Sequence, residues 1–153
     1  MGIDLYRVVL AIFSIGAVAV FVDEWVSVKR LSLCCKIAKC KALIAPFPYR
    51  IAGLFISEIR NIPLFLSAKK QLRTNKKIDL ATTSASDSAL ITFTTGSTGI
   101  PKAVDRSHGF LKSQFDALHP LLKGDINMPM LPIVLLLNLG LGVTSVIAAF
   151  KSD

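Results

Sequence analysis

Two apolar stretches, residues 5–22 and 131–150, share one internal order: helix-compatible residues, then glycine, then a β-branched run. Gly16 precedes AVAVFV in the first, and Gly140 and Gly142 precede VTSVI in the second. Glycine stops a helix and β-branched residues favour extended chain, so each stretch predicts helix, turn and buried strand. Residues 27–40 place Val28, Leu31, Cys35 and Ala38 on one face and Lys29, Lys36 and Lys39 elsewhere, the spacing of an amphipathic helix. The apolar run 42–45 predicts a strand ended by Pro46 and Pro48, residues 49–59 a helix, and 62–66 a further strand. Residues 68–88 turn basic and then rich in Ser and Thr with no apolar period, the pattern of an exposed connection. Beyond it, 89–93 predict a strand, a glycine-rich loop interrupts, and 103–106 resume extended chain. Ser107 is placed to cap a helix running to about Lys123. Short strands alternating with helices give an α/β fold class of mostly parallel strands joined by crossover helices.

On length alone either apolar stretch approaches the roughly 20 residues of a membrane-spanning helix. Arg7 interrupts the first and Asn138 the second, and the helix–glycine–strand order argues for two α/β units over two spans. Asp23, Glu24 and Trp25 follow the first stretch directly, where a secretory leader would carry small residues for cleavage. A cytoplasmic protein is therefore expected, with a small membrane protein as the reading this order opposes.

Composition sharpens the class. Hydrophobic residues make up 52% and charged residues 18%, a balance suited to a packed interior, and 153 residues accommodate one domain. The net charge of +8 is densest in AKKQLRTNKK, residues 68–77. That cluster holds no aromatic side chain to stack on bases and no nucleic-acid motif surrounds it, so a solvated surface is expected and no nucleic-acid partner. Cys34, Cys35 and Cys40 are odd in number, and no second Cys or His pair stands at zinc-ligand spacing. Neither a disulfide framework nor a metal site is expected; the cysteines read as small packing residues in a reducing compartment.

The candidate chemistry lies in TTGSTGIPK, residues 94–102. Thr94, Thr95, Ser97 and Thr98 offer hydroxyls, and Gly96 and Gly99 permit backbone angles at which amide groups converge on an anion. Pro101 fixes its own φ at the exit, and Lys102 adds a mobile positive charge. Ile100 and Pro101 separate Gly99 from Lys102, so the spacing is not that of a Walker A loop, and no GxGxxG is present. A loop of this make can wrap a polyphosphate.

The longer segment DSALITFTTGSTGIPKAVDRSH, residues 87–108, resembles the signature core of the AMP-forming acyl-activating superfamily of acyl-CoA synthetases, adenylation domains and luciferases. Asp87, Ala89, Ile91, Phe93, the loop from Thr94 to Gly99, Pro101, Lys102, Val104, Ser107 and His108 carry the resemblance; Ala103 stands where glycine is usual. Weaker similarity extends over residues 16–23 and 124–147.

This resemblance implies part of the large N-terminal domain of the adenylate-forming fold, a single incomplete domain over residues 1–153 without the small C-terminal domain. It implies a ligase that joins a carboxylic acid to AMP from ATP with Mg2+ and passes the acyl group to a thiol such as CoA. Thr94, Thr95, Gly96, Ser97, Thr98, Gly99 and Lys102 would hold the ATP phosphates, with His108 behind them; no catalytic residue and no metal ligand is assigned. Leu135 follows Pro132 by three positions, where relatives often carry His or an aromatic near the acyl pocket, which points to an apolar acid such as a fatty acid. The family's YGxTE-like, TGD and C-terminal lysine segments do not occur in these 153 residues, so the chain is expected to be inactive alone and to need a complementing C-terminal fragment. A non-catalytic protein holding phosphate or nucleotide with the same loop is the alternative of another class.

Overall fold

The computed structural model describes residues 3–22, 26–45, 51, 53, 55–67, 79–95, 100–122, 124–129 and 132–147. The first apolar stretch divides as its pattern predicts. Helix α1 (Ile3–Ser14) buries Tyr6 and Val9, and strand β1 (Ala19–Val20) follows. Between them Gly16 takes a φ of 67°, a left-handed conformation that L side chains rarely adopt. Its N–H donates to Phe13 O and that of Ala17 to Ile12 O, each at 3.0 Å, closing the helix with a Schellman motif.

Helix α2 (Val28–Ala38) is capped by Ser27, whose side chain accepts from the Arg30 N–H at 3.4 Å. Its buried residues are Ser32, Cys34 and Cys35. Val28, assigned to the inner face by spacing, is 58% exposed, because the first residue of the helix lies beyond the elements that cover its middle. Strand β2 (Ala42–Ile44), helix α3 (Ser57–Arg60) and strand β3 (Leu64–Leu66) follow. Pro46, Pro48 and residues 49, 50, 52 and 54 lie outside the described residues, and the predicted 49–59 helix is not continuous, since a turn at 55–56 precedes α3. β2 and β3 pair in parallel, and Cys35 packs with Ile59 and Ile62 against Leu31, Leu43, Ile56 and Phe65. Burial of such apolar area is the main force holding α2 on this layer.

Strand β4 (Ser88–Thr95) lies at the centre of a three-stranded sheet, parallel to β1 and antiparallel to β5 (Pro101–Ser107). The antiparallel pair departs from the otherwise parallel arrangement for a simple reason: the loop joining the two strands is too short for a crossover. Helix α4 (His108–Leu118) starts at Ser107, whose hydroxyl accepts from the Phe110 N–H at 3.1 Å, as the sequence predicts. It does not reach Lys123. Pro120 lacks the N–H needed to continue, and His119–Leu121 form a 3-10 turn instead.

The second apolar stretch ends the described chain with α5 (Pro132–Leu141) and β7 (Thr144–Ser145), the latter parallel to β6 (Ile126–Asn127). Asn138 is 0% exposed on α5: its amide accepts from Asn127 Nδ2 at 3.4 Å and donates to Ser145 Oγ at 3.0 Å. One buried side chain thus bonds residues of both β6 and β7. Gly142, with φ of 69°, ends α5 as Gly16 ends α1. Among the described residues no helix is long and apolar enough to cross a membrane.

Residues 84–87 form a turn that carries the chain into β4, and α4 presses directly on it. The Gly109 N–H donates to Ala85 O at 2.8 Å, and a Cβ at Gly109 would sit 2.8 Å from that same oxygen. Gly109→Ala must therefore push backbone against backbone, and a loss of about 1–3 kcal/mol is expected. Urea unfolding reads it as a lower midpoint with unchanged slope. An unshifted midpoint would show that the turn is free to yield.

Candidate functional site

Of the residues picked out in the sequence, Thr94 and Lys102 come together at one end of the β4–β5 hairpin. Register pairs Thr94 with Lys102 and Thr95 with Pro101, so the two strands deliver the ends of the 96–99 loop side by side. Gly96, Ser97, Thr98 and Gly99, and the side chain of Thr95, lie outside the described residues. Pro101 is buried, which anchors the exit of the loop, whereas Thr94 and Lys102 are exposed.

Directly opposed residues of an antiparallel pair project to one face, and so do their neighbours two positions away. Thr92, Thr94, Lys102, Val104 and Arg106 thus share a face of the hairpin, which carries two cations and two hydroxyls. Arg106 Nη1 donates to Thr92 Oγ1, which orients that guanidinium along the sheet. A third cation arrives from α2: Arg30 Nη2 donates to Thr94 O at 3.5 Å. Sequence reasoning missed Arg30. It stands 64 positions before Thr94, and nothing in its local pattern distinguishes it from the other exposed bases of α2.

His108 lies at the other end of β5, not at the loop. Its ring packs edge-on against Phe13 of α1, with centroids 5.9 Å apart and planes at 67°. Its N–H donates to Asp87 O at 3.0 Å. Asp87 in turn accepts from the Ser84 N–H at 2.8 Å; that bond, a second to the Ser84 side chain and the nearby imidazole hold its carboxyl below the usual range. Asp87 and His108 thereby fasten the start of β4 to the start of α4. The lowered carboxyl contributes stability present above the ordinary Asp range and lost as pH falls through its folded value. Leu135 is 3% exposed on α5. Among the described residues no three His, Cys, Asp or Glu side chains are grouped to hold a metal ion.

The profile of the AMP-binding enzyme family matches residues 1–149. The chain belongs to that family. An olefin β-lactone synthetase of Stenotrophomonas maltophilia is 29% identical over 160 residues, covering 94% of this chain and 29% of the relative. A hybrid PKS-NRPS synthetase of Xenoacremonium sinensis is 34% identical over 114 residues, 71% of this chain and 3% of that protein. In fold, the chain matches o-succinylbenzoate CoA synthetase of Bacillus subtilis with its acyl-adenylate intermediate at a TM-score of 0.76 and 19% identity, covering 97% of this chain and 41% of that one. An amide bond synthetase of Marinactinospora thermotolerans matches at 0.77 and 20% identity, with 96% and 33% covered. The described α/β architecture is that of the N-terminal domain of adenylate-forming enzymes. This member of the AMP-binding family spans less than half the length of each of these proteins.

Proposed function

We propose that the chain is the phosphate-gripping part of an ATP-dependent, AMP-forming carboxylic acid ligase. The observation that carries this reading is the hairpin register, which sets Thr94 against Lys102 at the ends of the loop within a chain of the AMP-binding family. In the reaction proposed, a carboxylate oxygen attacks the α-phosphorus of ATP, the bond to the bridging oxygen breaks and pyrophosphate leaves. A thiol such as CoA then attacks the acyl carbon and AMP departs.

The part of this chain is electrostatic. Loop amides and hydroxyls from Thr94 to Thr98 hold the β- and γ-phosphates, and Lys102 offsets the charge that grows on the leaving pyrophosphate. Arg30 steadies the loop's entry through Thr94 O. His108 positions α4 through its packing on Phe13. The buried aliphatic Leu135 favours an apolar, aliphatic acid.

A grip on two phosphates does not position the acid or the α-phosphate, so these 153 residues are expected to be inactive by themselves. Exposed large apolar side chains at Phe55, Leu121 and Ile126 suit a surface that the remainder of an adenylate-forming domain would cover. The test is transfer of label from radioactive pyrophosphate into ATP in the presence of assorted carboxylic acids. No transfer is expected from the chain alone. Joined to the remainder of the Stenotrophomonas synthetase, residues 1–149 are expected to support acid-dependent transfer that Lys102→Ala removes. A folded, ATP-binding chimera inactive with every acid would favour the alternative reading, a non-catalytic nucleotide binder.

A further inference from the structure

At the far end of α2 the structure brings two thiols together. α2 ends in the same Schellman motif as α1 and α5, but the left-handed position is held by Lys39, with φ of 50° and ψ of 49°, in place of glycine. The Lys39 N–H donates to Lys36 O at 3.3 Å and the Cys40 N–H to Cys35 O at 3.1 Å. That second bond folds the chain back over the last helical turn and stacks the side chain after the cap on the one five positions earlier. Here both are cysteines. Cys40 packs against the cluster that holds Cys35, near enough for each thiol to bear on the other's titration.

Cys40 is open to small solutes. Cys35 is 6% exposed and Cys40 is half-buried, and both line an open cavity of about 300 Å3 with Lys36, Lys39, Glu58 and Asn61. Cys34 is different: it is 1% exposed, burial raises its pKa, and on a helix it points about 100° away from Cys35.

The geometry points to Cys35 and Cys40 as a reversible redox site that hydroperoxides oxidise to an intramolecular disulfide. Hydrogen bonding by Cys35 brings the Cys40 thiol down to about 7, so near neutral pH a large share of it is thiolate, while the same interaction and burial push Cys35 up. Cys40 is therefore the attacking sulfur. Its thiolate takes the near oxygen of hydrogen peroxide, the O–O bond breaks and hydroxide leaves to be protonated to water, giving a sulfenic acid. The Cys35 sulfur then attacks that sulfur, loses its proton and expels a second water, forming the S–S bond. Two thiols and one peroxide become one disulfide and two waters. Side chains packed together across one backbone hydrogen bond have a short path to the S–S bond length of about 2.05 Å. A thiol reductant reverses the change by exchange.

The test exposes the folded 153-residue chain to hydrogen peroxide near neutral pH, blocks remaining thiols by alkylation and maps tryptic peptides. Cleavage after Lys36 and Lys39 separates the two cysteines, so their disulfide appears as residues 31–36 joined to 40–41. That joined peptide is expected to form about 10-fold faster than in the urea-unfolded chain, where the thiolate advantage is lost, and to vanish on treatment with dithiothreitol. Cys34→Ala should leave it unchanged. Cys35→Ser should stop the reaction at a Cys40 sulfenic acid captured by dimedone. Absence of the joined peptide in the folded wild-type chain would overturn the inference, as would a bond to Cys34 that persists in Cys35→Ser.

Discussion

Lys102→Ala is expected to weaken binding of ATP or pyrophosphate by about 10- to 100-fold, the equivalent of one or two charge-assisted hydrogen bonds. Lys102 is exposed and faces Thr94 across the strand pair, so its ammonium can reach phosphate oxygens at the loop without breaking any bond that holds the hairpin. The substitution should leave the unfolding midpoint in place, because the hairpin is anchored by buried Pro101 at this end and by Arg106 on Thr92 further along it. Screening adds a second signature. Wild-type affinity should fall as salt is raised, and the variant should show a shallower dependence, since it has lost one of the charges that salt competes with. Titration calorimetry at two ionic strengths measures both. Equal affinities for the two proteins would remove Lys102 from the phosphate grip.

Asn138→Asp is expected to cost about 3–5 kcal/mol near neutral pH, a large part of the 5–15 kcal/mol that usually holds a domain together. Asn138 is 0% exposed, and its two bonds go to the neutral groups of Asn127 and Ser145. Both described partners of a carboxylate there are neutral, so burial raises its pKa above that of the unfolded chain. The sign follows from that shift. The unfolded state ionises first, so the deficit is greatest at and above neutral pH and shrinks as pH falls towards the unfolded value. Asn138→Leu is expected to lose about 1–3 kcal/mol with no such pH dependence, because it only strands the partners. Denaturant melts at pH 4 and pH 7 separate the two; parallel losses at both pH values would show that no charge is buried.

How much of this could be read from the chain depended on the range of the cause. Ser107 as a cap and Gly16 and Gly142 as helix stops are local, and the structure places each as its neighbours predict. The two extended segments flanking the loop were legible for the same reason, since strand, glycine and strand are contiguous, but their antiparallel pairing was not. Lys39 was not legible as a left-handed cap, since that position ordinarily calls for glycine. The stop at Pro120 had a local signal that the apolar period beyond it obscured. β6 is two residues long and is bound from a distance by Asn138, which in the sequence interrupts an apolar run. Val28 followed the helical period yet lies exposed, because period fixes a direction and not whether anything is there to cover it. Arg30 and the Cys35–Cys40 contact depend on how α2 is docked and ended, and both lay beyond what spacing could show.

The central claim is that phosphate binds at the end of the β4–β5 hairpin, and amide chemical-shift mapping of the isotopically labelled chain with pyrophosphate tests it most directly. The largest shifts are expected at Thr94, Lys102 and the residues joining them, with smaller ones at Arg30, and they should saturate together and disappear in Lys102→Ala. Shifts centred on Lys36 and Lys39 beside the thiol pair, or no saturable shift at the hairpin end, would contradict the account.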